Sequence, residues 1–122
     1  MDIQQAIQQI NAEFIELFEQ RDATAIAAAY IEDGAILAPN QKTHRGRQAL
    51  EDFWKGFFDE IGGAANIESV EIAGGYDLAY QWATYSMEGG EQSDAGKFVE
   101  IYKRQSDGSW KIRLTIFNSD NP

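Results

Sequence analysis

The chain predicts an α+β fold in which three N-terminal helices cover one face of a strongly curved antiparallel sheet. Three observations carry that prediction. Apolar residues recur at helical spacing up to Gly62 and Gly63, as at Ile3, Ile7, Ile10, Phe14 and Leu17. From Asn66 onward the period changes to two. The 122 residues are 43% apolar, which suits one domain, 1–122, built on one core.

The elements follow in order. Asp2 stands where it can cap the first helix, whose wet side carries Gln4, Gln5, Gln8, Gln9, Glu13 and Glu16. That helix runs about 18 residues and ends near Arg21. Asp22 caps a short alanine-rich helix reaching Tyr30. Gly34 follows, and Ala35 to Pro39 reads as a brief strand that proline stops. Asn40 to Gly46 is a polar loop. A third helix presents Ala49, Leu50, Phe53, Trp54, Phe57, Phe58 and Ile61 on one broad face, and Gly62 and Gly63 end it. Four strands then form a meander: Ile67 to Gly74, Asp77 to Met87, Lys97 to Arg104, and Ser109 to Asn118. Gly74 to Asp77 and Gln105 to Ser109 are turns, and Glu88 to Gly96 is a loop. The long strands are apolar on both faces. One face packs on the helices, so self-association through the other, as a homodimer, is the economical way to bury the second.

Composition excludes several classes of function. Net charge is −10, and the nearest thing to a basic patch is Lys42, His44, Arg45 and Arg47. Phosphate backbones need a concentrated positive surface, so no nucleic-acid partner is expected. No run of apolar residues is long enough for a membrane span, and the N-terminus lacks the basic and apolar regions of a secretory signal. Cysteine is absent, which removes disulfide and thiolate chemistry and fits a cytoplasmic location. With one histidine and no calcium-loop spacing of carboxylates, no metal and no cofactor is expected.

Gly46 to Trp54 (GRQALEDFW), Asp94 to Arg104 (DAGKFVEIYKR) and Asp107 to Asp120 (DGSWKIRLTIFNSD) resemble the nuclear-transport-factor-2-like superfamily. Its SnoaL-like and ketosteroid-isomerase-like branch is the nearest part, in particular an uncharacterised bacterial group with the C-terminal NSD motif. The resemblance spans nearly the whole chain. It implies a cone-shaped, cystatin-like α+β roll wrapped around the first helix, a pocket at the wide end, and homodimers through the convex sheet face. It fixes no single function, because this fold hosts isomerases, cyclases, dehydratases and pure binding modules.

The isomerase branch moves a proton beside a ketone with a first-helix tyrosine, a carboxylate just before the proline of the first strand, and a protonated carboxyl on the third meander strand. The matching positions here read Phe14, Ala38, and either Val99 or Glu100. Two of the three groups are missing. Thr115 stands where the nearest branch often has an aspartate, and a hydroxyl cannot serve as a base near neutral pH.

The resemblance implies a ligand pocket lined by Trp54, Phe58, Tyr80, Trp82, Thr84, Thr115, Phe117 and Asn118. On the last strand this conflicts with the plain alternation, which puts Trp110, Ile112, Leu114 and Ile116 together; a bulge or a buried dimer face would reconcile the two. The aromatics also read as ordinary core packing. Candidate catalytic residues are Glu100, His44 and Tyr80. Alternation groups Glu100 with Phe98 and Tyr102, so on the concave face it would be buried among aromatics, and on the convex face it would be a surface charge. His44 reads equally as a solvated loop residue. The leading expectation is a domain that binds a small hydrophobic or aromatic metabolite without the isomerase residues. The alternatives are a cyclase, dehydratase or isomerase with a non-standard set, and a protein-interaction or dimerisation module.

Overall fold

A computed structural model describes residues 2–89 and 92–121. Helix α1 (Ile3–Gln20) starts on a reciprocal cap: the Asp2 carboxylate accepts from the Gln5 amide, and the Gln5 side chain accepts from the Asp2 amide. It stops where Arg21 enters the left-handed region and its N–H turns back to the Phe18 carbonyl. Asp22 caps α2 (Ala23–Ala28) through the Ala25 amide. Helix α3 (Arg47–Glu60) turns Leu50, Trp54 and Phe58 inward.

The strands are β1 (Tyr30–Leu37), β2 (His44–Arg45), β3 (Gly63–Gly74), β4 (Leu78–Gly89), β5 (Asp94–Arg104) and β6 (Trp110–Ser119), in one curved sheet of order β2-β1-β6-β5-β4-β3. The four-strand meander stands as expected. Every pairing between these strands is antiparallel except β1 with β6, which is parallel. Several boundaries differ from the sequence reading, among them the second helix, which ends at Ala28, β4, which runs to Gly89, and β5, which starts at Asp94. The first strand begins at Tyr30 and runs through Gly34, because its pairing with β6 supplies hydrogen bonds that local propensity does not show. The polar loop contains β2, two residues that pair with Ala35 and Ile36. Strand β3 starts at Gly63 rather than at Ile67. Of the loop expected between β4 and β5, Gly90 and Glu91 lie outside the described residues.

Two bulges decide which side chains face the helices. On β6, Ile112 pairs with Tyr102 and Leu114 with Ile101, so Arg113 is an extra residue. Parity flips across it, and Ile112, Thr115 and Phe117 all face inward; this settles the conflict over the last strand in favour of a bulge. On β3, Val70 is extra between Ser69 and Glu71, so Glu68 and Glu71 share the outer face instead of lying on opposite ones. Strand β1 bulges over Ile31–Gly34. Gly34 is tightly placed there, since a Cβ would sit 3.0 Å from the Tyr30 Cβ and 3.1 Å from the Ile31 carbonyl oxygen.

Candidate functional site

Register lays inner-face residues in rows across the sheet. Gln81, Glu100, Thr115 and Ile36 form one row over β4, β5, β6 and β1. Ala79, Tyr102, Ile112 and Tyr30 form the next, and Ala83, Phe98 and Phe117 a third. The alanines leave room for α1, which lies across this face.

A cavity remains between the helices and these rows. Helix α1 contributes Ile10, Asn11 and Phe14, and α3 contributes Trp54 and Phe57. The sheet contributes Ile36, Ile67, Tyr85, Met87, Phe98, Ile112, Phe117, and on its floor Glu100 and Thr115. The centre of a water-sized sphere can range over about 60 Å³ there. One water needs roughly 10–15 Å³ on that scale, so the space takes several waters or a compact organic molecule. A second cleft, about 150 Å³ on the same scale, lies beyond Ile10, Phe14 and Ile112, which line both.

Glu100 organises the polar part of the cavity. Tyr102 Oη donates to its Oε1 at 2.7 Å, and Thr115 Oγ1 donates to its Oε2 at 2.6 Å. A hydroxyl has one proton, so Thr115, having given its own to Glu100, accepts from the Tyr30 hydroxyl 2.7 Å away. Gln81 Nε2 donates to Tyr102 Oη at 2.6 Å and to Asn11 Oδ1 at 2.7 Å. Gln81 Oε1 accepts from Ser69 Oγ at 2.8 Å and Asn11 Nδ2 at 3.2 Å. Two donor chains therefore end on one carboxylate: Tyr30 to Thr115 to Glu100, and Gln81 to Tyr102 to Glu100. Among the described residues, no lysine, arginine or histidine ion-pairs with it.

Burial dominates the electrostatics. It pushes the Glu100 carboxyl above the usual carboxylate range, and the Thr115 and Tyr102 hydroxyls offset only part of that rise. Part of the residue's surface still faces the cavity, while its carboxyl is enclosed by protein. Tyr30 and Tyr102 are raised too, first by burial and then by the charge of Glu100. Glu100 can exchange a proton at a pH where an exposed carboxylate stays ionised.

Beside the cavity, the Tyr85 hydroxyl donates to Asp94 Oδ2 at 2.9 Å, and the Ser119 hydroxyl donates to Asp94 Oδ1. The Asp120 amide reaches the Ala95 carbonyl at 2.7 Å. These bonds fasten the end of β6 to the start of β5 and fix one wall of the cavity.

Of the residues singled out in the sequence, Trp54, Thr115 and Phe117 line this cavity and Glu100 sits on its floor. The others lie elsewhere. Phe58 is core, its ring 5.2 Å from that of Phe18. Tyr80, Trp82 and Thr84 point to the outer face, opposite to Gln81 and Ala83. The family resemblance implied that they lie inside, but the strand's alternation turns Ala79, Gln81, Ala83 and Tyr85 inward instead, with Gln81 bonded to Asn11 of α1. Tyr80 donates instead to Glu71 on that outer face, and this bond pushes its phenol up. Asn118 is exposed. His44 stacks on Phe53 at 4.9 Å and bonds Gln41, outside the cavity. The set of Glu100, His44 and Tyr80 is therefore dispersed. Asn11, Tyr30, Gln81 and Tyr102 were missed. Asn11 had a legible signal: a lone amide in the apolar stripe of Ile7, Phe14 and Phe18.

A sequence profile described as SnoaL-like domain matches residues 12–112. The chain belongs to the SnoaL-like domain family. Among curated proteins, none matches it. Solved structures share the fold. A ketosteroid isomerase-like protein from Erwinia carotovora atroseptica superposes with a TM-score of 0.83 at 18% identity, over 96% of this chain and 95% of that one. A protein of unknown function with a cystatin-like fold from Nostoc punctiforme gives 0.81 at 18% identity, over 97% and 91%. An NTF2-like protein with a cystatin-like fold from Novosphingobium aromaticivorans gives 0.80 at 16% identity, over 98% and 82%. At these identities the likeness is one of fold. Among the described residues, no helix is long and apolar enough to cross a membrane.

Proposed function

We propose that this SnoaL-like domain binds a small hydrophobic or aromatic metabolite in the cavity under α1 and α3. The observation that carries this reading is an apolar chamber with one carboxylate, Glu100, held on its floor by two oriented hydroxyls. Phe14 and Ala38 bring no acid or base to it, so the ligand is gripped mainly by shape and burial. A cytoplasmic setting fits the cysteine-free composition. The test is titration with compact aromatic probes such as 1-naphthol, read by nuclear magnetic resonance. Methyl resonances of the cavity residues Ile36 and Ile67 should move saturably. Ile67→Trp, which fills the space, should abolish the effect. Unmoved cavity resonances with every probe would sink the proposal.

The same carboxylate favours a second reading, acid–base catalysis by Glu100 supported by Tyr102, Thr115 and Tyr30. It predicts exchange of solvent deuterium into an enolisable ketone, lost in Glu100→Gln. Exchange at the uncatalysed rate would remove it.

We further propose a homodimer through the outer sheet face. Trp82, Val99 and Ile116 lie in one row there, and Tyr80, Ile101 and Leu114 in the next. Trp82 and Ile116 are 40% and 41% exposed. A contiguous apolar block on neighbouring strands is what an isologous interface needs.

A further inference from the structure

One buried side-chain polar atom among the described residues lacks a partner: Nε1 of Trp54. The indole is 7% exposed and forms part of the cavity wall. Its neighbours explain why it is left over. Phe14, Phe53 and Phe57 pack around the ring with centroids at 5.3 Å each, and none can accept a proton. The Tyr30 hydroxyl is near enough for the indole N–H to favour its ionised form, yet no bond of hydrogen-bonding geometry joins them. An indole N–H is a donor only. A buried donor without an acceptor is costly to maintain, so such groups call for a partner outside the protein.

We propose that the cavity takes a compact apolar ligand carrying one hydrogen-bond-acceptor oxygen, a ketone or a similar neutral carbonyl, and that the indole N–H of Trp54 holds that oxygen. This rests on the ligand-binding reading and names the chemistry it selects. The oxygen sits against the Trp54 indole, and the Tyr30 and Thr115 hydroxyls stand between that point and the Glu100 carboxylate. The apolar remainder lies against Phe14, Phe57 and Phe117. A carboxylic acid is disfavoured, because none of the described lining residues is a cation while Glu100 is an acid. An alcohol or amine would leave its own proton to be placed, and only Glu100 among the lining carboxylates could take it.

The test uses two probes of the same shape, acetophenone and α-methylstyrene, which differ in an oxygen against a methylene. Each is titrated into the protein while the indole ¹H–¹⁵N resonances are followed, that of Trp54 being assigned from Trp54→Phe. The ketone should bind about fivefold more tightly, the worth of one net hydrogen bond. It should also move the Trp54 indole proton downfield, which the hydrocarbon should not. In Trp54→Phe the two probes should bind equally. Should that variant not fold, the contrast in indole shift within the unsubstituted protein decides the question. Equal affinities, an unmoved indole resonance, or a ketone preference that survives Trp54→Phe would overturn the inference while leaving the apolar pocket standing. Binding of neither probe would overturn both.

Discussion

The two faces of the sheet invert the usual division of labour. The inner face buries amides, hydroxyls and a carboxylate in the row Gln81, Glu100 and Thr115. The outer face displays Trp82, Val99 and Ile116 one residue further along the same strands. Each face departs from what a half-buried sheet predicts, and each departure has its own physical reason. Inside, every buried side-chain polar atom among the described residues but the Trp54 indole nitrogen finds a partner, so polarity is tolerated and orients the cavity. Outside, Trp82, Val99 and Ile116 stay partly exposed, the apolar patch that the proposed dimer would cover. One residue of register separates the two sets, which makes the bulges at Arg113 and Val70 decisive.

The largest effect is expected on the inner face. Gln81→Leu removes an amide that joins Asn11, Ser69 and Tyr102. It strands buried donors and acceptors, so the loss should be about 3 kcal/mol. Urea denaturation measures it; a loss below about 1 kcal/mol would mean that water already serves those groups. On the outer face, Trp82→Glu should leave the monomer's stability nearly unchanged and raise the dimer dissociation constant about 100-fold, the reach of an interface hot spot. Sedimentation equilibrium of both forms decides it, and an unsubstituted chain that is monomeric at high concentration would end the dimer proposal.

The inversion was only half legible in the sequence. The helical stripe of α1 and the two-residue period after Asn66 fixed the layers, because both depend on local spacing. The alternation of Phe98, Glu100 and Tyr102 grouped Glu100 correctly with its neighbours. Face assignment on β4 failed, since it was carried over from the family resemblance, and the register that turns Gln81 inward to meet Asn11 and Glu100 is set by partners far along the chain. The bulge at Arg113 leaves no local mark, being set by pairing with a strand six or more residues away. Tyr30 was read as the end of the second helix, because its partner Thr115, which draws it into the sheet, comes from the opposite end of the chain.

A third experiment sharpens the inner face by its proton. The folded Glu100 carboxyl titrates above its ordinary value of 4.5, so between that value and the raised one the folded state holds more protons than the unfolded. Stability should therefore fall as pH rises through that window, by at most about 1.4 kcal/mol per unit. Glu100→Gln should flatten that component in thermal melts run from pH 4 to pH 8. A variant profile parallel to the original would show that Glu100 does not titrate there. The smallest effect belongs to the clasp beside the cavity. Ser119→Ala deletes the bond to Asp94, while Tyr85 keeps the other oxygen. The cost should be about 1 kcal/mol, seen as a lower denaturation midpoint. A loss of 3 kcal/mol would mean that the cavity wall depends on this one bond.

The parallel pairing of β1 with β6 also bears on how the chain reaches this state. Tyr30 and Thr115 are 85 residues apart in sequence, and β1 has no other long neighbour in the sheet. When the chain is synthesised, β1 and the apolar stripe of α1 emerge early and wait for the last strand to arrive. Closing so long a loop comes before its contacts repay the lost entropy, which places such topologies among the slower folders, at milliseconds to seconds. Until then the nascent domain exposes a greasy helix and an unpaired strand edge, the features that holding chaperones bind and that seed aggregation when they are scarce.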